Sequence, residues 1–401
     1  MVVGLCLLVF VSAAAGLYWS RKTLVQQSAT LLQKAIDART SGQFPAAEES
    51  CLEALACARR IWLGRGETLM VAQYELAALY FQQDKLEQAE QTAVEAFAAL
   101  RKFRRPSSVG SPLVCLMAQI YKESGKDQTA DVFFQVAIQL LRSVHGDRSI
   151  EVGEALHELG VTLSRVGVPE RAIGVLEECI PIFEEHRGKD HGDVASALAN
   201  LGLAQSQAKR HADAERTQRC VIAMRESTLG PDDPAVARAL NNLSVTYKRQ
   251  ERIPEALDCL RRSLAIREAK LGPDHPDVAL VLGNLGECLR LEKKYAQAET
   301  ALTRARTILE NPPHKSYATV VDSLAGLRAA QGRYEEADQL YALCLRIHES
   351  QPSSNLIDLA ETCERYADVL YKLQKEKQAD ALLERVAKLK SAREKLLTPI
   401  A

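Results

Sequence analysis

The sequence predicts an all-α protein, a solenoid of about nine helix pairs in tandem preceded by an N-terminal hydrophobic helix. Three observations carry that expectation. First, the chain matches itself when shifted by 42 residues: LGPDHPDVALVLGNLGECL from Leu271 aligns with LGPDDPAVARALNNLSVTY from Leu229 and RGKDHGDVASALANLGLAQ from Arg187, and Gly146, Gly188, Gly230 and Gly272 recur at that spacing. A fixed period of this length is the signature of stacked supersecondary units. Second, small residues recur at three fixed places in the repeat. Third, 47% of residues are apolar and 26% charged but only 5% aromatic, with alanine, leucine, glutamate, lysine and arginine prominent, and these lose little rotamer freedom on a helix. The chain divides accordingly into a hydrophobic anchor or signal segment (1–22), the repeats (23–392) and a C-terminal tail (393–401).

In chain order, Val2 to Trp19 come first, eighteen residues without a charge, followed by Arg21 and Lys22. That length just suffices to cross a bilayer. A retained anchor, a cleaved signal peptide with Ser12 to Gly16 as its small-residue cleavage region, and a helix buried against the repeats all compete for it. Basic residues follow the apolar run but do not precede it, so a retained anchor makes a single-pass membrane protein with its repeats in the cytoplasm, whereas cleavage gives an exported soluble protein. Tyr18 and Trp19 suit the interface between lipid and water. Nine of the ten cysteines lie beyond this segment, an odd number with no C-x-x-C pair, which fits reduced thiols better than a disulfide framework or a zinc site.

The repeats follow. With Ala279 as position 1 of its repeat, position 8 reads Ala35, Ala77, Ala118, Gly160, Gly202, Ser244, Gly286, Ala325 and Ala367. Position 20 is alanine throughout, from Ala47 to Ala379, and position 27 reads Ala54, Ala96, Ala137, Cys179, Val221, Ser263, Ala305, Cys344 and Val386. Small residues are needed where the first helix of a pair (A) crosses the second (B), and where B meets the next A, because a larger side chain holds the backbones apart. Leu159, Leu201, Leu243, Leu285 and Leu324 at position 7 fill the space between crossings. Each pair keeps one apolar face that only a neighbour can cover.

Local signals set the boundaries. Pro234 and Pro276 suit the first turn of helix A, with Asp233 and His275 before them as cap candidates. Gly42, Gly125, Gly167 and Gly332 mark left-handed residues in tight A-to-B turns. Between the seventh and eighth repeats the spacing shrinks to 39, and Asn311-Pro312-Pro313 replaces the Gly-Pro-Asp linker, which predicts a shorter inter-repeat loop. Lys388 to Ala401 reads as a fraying basic helix and tail.

The small residues at 8, 20 and 27 resemble the tetratricopeptide repeat. The period alone would also admit HEAT or armadillo units. The LGPDHPD linker, a V-A-x-x-L-x-N-L-[AGS] helix A and a [KR]-x-Y-x-x-A-[ED] helix B ending in L-A-I-R-E are similar to the 42-residue repeats of kinesin light chains and nephrocystin-type proteins. The likeness runs over about residues 28 to 390 and is strongest from Gly146 to Glu310. It implies a right-handed α-solenoid of about nine tetratricopeptide-like helix pairs, with positions 2, 5, 9, 12 and 13 of helix A lining a concave groove for protein ligands.

No catalytic signature is present: H-E-x-x-H, G-x-S-x-G, the P-loop and the dinucleotide fingerprint are all missing, so neither an enzyme nor a cofactor is expected. A net charge of −1 and a pI near 6.7, without a basic stretch interleaved with aromatics, argue against nucleic acid. Asp190-His191 and Asp274-His275 occupy equivalent linkers two repeats apart, which suits helix caps rather than a metal site. Cys179 and Cys344 read as small core residues, and His157 as a polar surface residue without an evident partner.

Transferred onto this chain, the groove positions give Arg165, Arg238, Asn241, Lys248, Arg249 and Arg290 in the middle repeats, and Asp322, Glu361, Glu364 and Asp368 towards the C-terminus. A basic mid-groove suits an extended, acidic segment of a partner protein. Asn200, Asn242 and Asn284 at position 6 are equally suited to a repeat-to-repeat hydrogen-bond ladder and to peptide contact. The family's clamp for chaperone-tail carboxylates needs asparagine at position 9, which here reads Ile36, Ala78, Gln119, Val161, Leu203, Val245, Glu287, Gly326 and Asp368, so no clamp is implied. The expected function is a membrane-tethered interaction scaffold; the alternative is a structural subunit that self-associates or stabilises a larger membrane complex.

Overall fold

The computed structural model describes residues 22–60, 67–100, 109–310, 314, 316–350 and 356–397. The apolar segment from Val2 to Trp19 lies outside them. Among the described residues there is no strand, and no helix is long and apolar enough to cross a membrane.

The chain divides into two compact blocks, Met1–Gly146 and Asp147–Ala401. In the first, α1 (22–40) pairs with α2 (Phe44–Arg60), α3 (Glu67–Gln82) with α4 (Leu86–Leu100), and α5 (Gly110–Glu123) with α6 (Asp127–His145). In the second, α7 (Ile150–Arg165) pairs with α8 (Pro169–Arg187), α9 (Gly192–Gln207) with α10 (His211–Leu229), and α11 (Pro234–Arg249) with α12 (Ile253–Leu271). Then come α13 (Pro276–Leu291) with α14 (Tyr295–Glu310), α15 (Tyr317–Ala330) with α16 (Tyr334–Ser350), and α17 (Leu356–Lys372) with α18 (Glu376–Leu397). Odd-numbered helices are the A helices and even-numbered the B helices. Within the second block each B helix packs on the next A, and each A helix also touches the A helix of the next pair.

The caps and turns follow from the residues named above. Asp233 Oδ1 accepts a hydrogen bond from the Ala235 amide at 2.7 Å, and His191 and His275 accept through Nδ1 from the Asp193 and Asp277 amides at 3.2 and 3.1 Å. The histidine of each aspartate–histidine pair thus caps its own helix. The left-handed turn residue is glycine at Gly42, Gly125, Gly167 and Gly332 but Asp84, Lys209, Glu251, Lys293 and Gln374 in the other five turns, with φ between 58° and 62°. There the turn closes without the glycine signal.

The three small positions have distinct partners. Position 8 lies under position 24 of its own B helix: a Cβ on Gly160, Gly202 or Gly286 would stand 2.6, 2.5 or 2.4 Å from Leu176 Cγ, Gln218 Nε2 or Leu302 Cγ. Position 27 abuts the backbone of position 1, so that Cys179 donates to the Gly153 carbonyl at 3.3 Å, Ser263 to Ala237 at 2.7 Å and Cys344 to Ala318 at 3.3 Å. Position 20 is completely buried from Ala47 to Ala379.

Polar stitches join consecutive pairs. The basic residue opening helix B reaches an acidic residue on the preceding B helix: Lys85 to Glu48, Lys126 to Glu90, Arg252 to Glu215 and Lys375 to Asp338. This explains the [ED] of the helix B pattern; its basic partner stands at the following x rather than at the [KR]. Further along, Arg262, Arg304 and Arg385 meet Glu226, Glu268 and Glu349 at 2.6, 2.6 and 2.7 Å. Arg262 and Arg304 also donate to the Pro231 and Pro273 carbonyls of the linkers, at 3.3 and 2.7 Å.

Candidate interaction face on the A helices

Three of the five junctions between A helices of the second block carry a hydrogen bond from position 6 of one repeat to position 5 of the repeat before it. Asn200 Nδ2 donates to His157 Nε2 at 2.9 Å, Asn284 Nδ2 to Asn241 Oδ1 at 2.9 Å, and Arg365 Nη2 to Asp322 Oδ2 at 2.7 Å. His157 therefore has a partner, which corrects its reading as a lone surface residue, and its ring also lies 5.9 Å from that of Phe183. Asn242 stands outside the ladder because the residue facing its position is Ala199, which offers no side-chain acceptor. The asparagine spacing signalled the ladder; its true partner, one position earlier, was hidden because position 5 changes chemistry from repeat to repeat.

The candidate cations differ in what they touch. On α11, Arg238 and Arg249 are exposed and Lys248 is half-buried, and none of the three has an ion-pair or hydrogen-bond partner for its side chain among the described residues. Helical periodicity places positions 2, 5, 12 and 13 within an arc of about 100°, so these cations share one face with Asn241. Arg165, at the end of α7, is half-buried. Arg290 on α13 is committed: its Nε and Nη2 donate to Glu287 on the same helix at 3.0 and 2.7 Å. Burial alone would raise the Glu287 carboxyl, but the Arg290 hydrogen bonds and charge outweigh it and hold it below the ordinary range.

Towards the C-terminus the expected acidic surface is largely neutralised from within. Asp322 is engaged by Arg365 and by the Thr362 hydroxyl at 2.9 Å, Glu361 lies 3.6 Å from Arg365, and Lys390 pairs with Glu364 at 2.6 Å. Asp368 is exposed. Arg365, which does not stand at a groove position by family analogy, is the residue that changes this picture; its register with Asn200 and Asn284 at position 6 was the available signal. Lys248, Glu287, Arg290, Asp322 and Arg365 interact electrostatically across α11, α13, α15 and α17.

Below this face, Arg225 and Arg267 are buried on the B helices and donate to the Ala235 and Asp277 carbonyls at 2.8 and 2.6 Å. Burial and the charge of Arg238 pull the Arg225 guanidinium down to about 10. Exposed Arg238 thus stands over two buried cations. Among the described residues no group of three or more His, Cys, Asp or Glu side chains could hold a metal ion.

A family model described as "Tetratricopeptide repeat" matches residues 170–227, 193–269 and 235–311, and a second of the same description matches 321–353. A comparison with curated protein sequences finds no match. Among solved structures, a Rap protein complexed with Competence and Sporulation Factor is similar at 13% identity and TM-score 0.60, covering 92% of this chain and 99% of that one. The Rap conjugation gene regulator of plasmid pLS20 with the Phr* peptide gives 12%, 0.56, 93% and 98%. A tetratricopeptide repeat protein from Parabacteroides merdae gives 16%, 0.52, 69% and 93%. These likenesses show a shared helical-repeat fold.

Proposed function

We propose, from the premise that this chain is a tetratricopeptide-repeat protein, that it is a non-catalytic scaffold binding an extended, acidic segment of a partner protein along its A-helix face. The observation that carries this reading is the trio Arg238, Lys248 and Arg249. Arg290, Arg328 and Arg365 on neighbouring A helices each have a carboxylate partner, yet α11 leaves three cations unpaired on one face. Arg238 and Arg249 stand about 16 Å apart along the helix axis at roughly 1.5 Å per residue, a span that several residues of an extended segment would cross. The two Rap structures hold Competence and Sporulation Factor and the Phr* peptide, which supports ligand binding by this fold. The Val2–Trp19 segment supports a second element of the proposal, a membrane tether that leaves the repeats in the cytoplasm.

Changing Arg238, Lys248 and Arg249 together to glutamate is expected to abolish recovery of the proteins that the wild-type chain retains in a pull-down read by mass spectrometry, with the helical circular dichroism unchanged. An unaltered set of recovered proteins would overturn the assignment of the face.

A further inference from the structure

Gly326 sits in the middle of α15, at position 9 of its repeat, on the A-helix face. Glycine inside a helix is unfavourable, and at Gly160, Gly202 and Gly286 close contact with the B helix explains it. Gly326 has no such cause. A Cβ there would lie 3.6 Å from the Tyr341 hydroxyl and 3.8 Å from Arg290 Nε, both ordinary contacts, so nothing steric forbids alanine. The missing side chain leaves a notch between Arg290 and Tyr341.

Tyr341, on α16, is 1% exposed and stacks on Tyr366 with ring centroids 5.5 Å apart. Its hydroxyl has no hydrogen-bond partner among the described residues, whereas the Tyr366 hydroxyl donates to Asp338 at 2.5 Å. A buried phenol ordinarily finds an acceptor. Burial also raises the Tyr341 phenol well above its usual range, so it remains a donor. The charges around the notch balance: Lys248, Arg290 and Arg365 face Glu287, Asp322 and Glu361.

We propose that the notch over Gly326 is a subsite for a main-chain carbonyl of an extended partner segment, which accepts from the Tyr341 hydroxyl. A neutral acceptor suits balanced surroundings better than a carboxylate, and the absent Cβ lets a peptide backbone approach the helix. This rests on the reading of the A-helix face as the interaction surface. It adds a fixed point of register: the α11 cations attract charge, and the notch seats the backbone beyond them.

The probe is a fluorescein-labelled peptide selected from a displayed random library on the full chain, and binding is read by fluorescence anisotropy at low and high salt. Tyr341→Phe removes only the hydroxyl and is expected to weaken binding about tenfold, equally at both salt concentrations, with an unchanged or higher melting temperature. Gly326→Ala is expected to raise the melting temperature and still weaken binding. A purely structural role predicts neither loss. Binding within twofold of wild type for both variants, or a loss that disappears at high salt, overturns the notch. A peptide that is released by charge reversal on α11 but indifferent to Tyr341 and Gly326 overturns the notch alone, and a library that yields no binder overturns the A-helix face with it.

Discussion

Two glycines in neighbouring repeats, both inside A helices, should respond with opposite signs to the same substitution. Replacing glycine by alanine in a helix interior gains about 1 kcal/mol from backbone preference. At Gly286 on α13 the new methyl would lie 2.4 Å from Leu302 Cγ and 2.7 Å from its Cδ2. Carbon atoms settle at roughly 3.5–4.0 Å, so Leu302 must retreat by about 1 Å. It is completely buried and has nowhere to go. Overpacking of this kind costs about 1–3 kcal/mol, which leaves Gly286→Ala less stable by about 1 kcal/mol. Gly326→Ala meets no such obstacle and should gain about 0.5–1 kcal/mol. Because a repeat array opens locally, the suitable assay is hydrogen exchange followed by mass spectrometry on peptides from α13–α14 and α15–α16. Protection in α13–α14 should fall for the first variant, and protection in α15–α16 should rise for the second. Equal or greater protection in Gly286→Ala would show that position 8 is not small for reasons of packing.

Thiol reactivity offers a second test. Burial pushes the Cys51, Cys179 and Cys344 thiols up to about 12, so only ~10⁻⁴ of each is thiolate at pH 8. Cys220 is exposed on α10. Iodoacetamide should therefore modify Cys220 in the native protein and reach the other three only in denaturant; comparable native rates at Cys179 would contradict its place in the core. A third concerns His348 on α16, whose imidazole burial holds below the ordinary value of 6.5, aided by Arg385 and opposed by Asp322. A histidine kept neutral in the fold stabilises it fully above its unfolded value, and that stabilisation is lost as pH falls below about 6.5 towards the folded value. Hydrogen-exchange protection in α16–α18, taken relative to the intrinsic exchange rate at each pH, should fall on acidification through this window, and His348→Phe should flatten the dependence. A wild-type profile flat down to about pH 5 would refute the assignment.

The repeat itself was legible because close packing constrains residue size. Where backbones cross, only small residues fit, and a 42-residue shift brings them into register whatever else varies. Capping was readable for a similar reason: an aspartate or histidine one residue before the first helical turn has one obvious donor to meet, and Asp233, His191 and His275 meet it. Interactions between repeats were harder to read. Whether Arg290 is available to a ligand depends on Glu287 one turn away, and whether Asp322 presents a negative surface depends on Arg365, 43 residues later. Family positions say which way a side chain points but not which neighbour answers it. The Tyr341 notch carried no sequence signal, since its tyrosine belongs to a B helix and its glycine resembles any other tolerated helix interruption.

The two ways of joining neighbours, the arginine stitches of the B helices and the ladder of the A helices, have different consequences for how such a chain can change in length. Excising Gly230–Leu271 in one piece would bring Arg304 opposite Glu226 at the old separation, with Pro273 supplying the carbonyl that Pro231 gave, so the stitches tolerate gain or loss of a copy. The ladder loses a rung. Asn284 would then face Ala199, as Asn242 does in the intact chain, while histidine still answers asparagine and aspartate still answers arginine at the two remaining rungs. One set of contacts is interchangeable and lets copies be added; the other ties together only those neighbours whose position 5 and position 6 residues match.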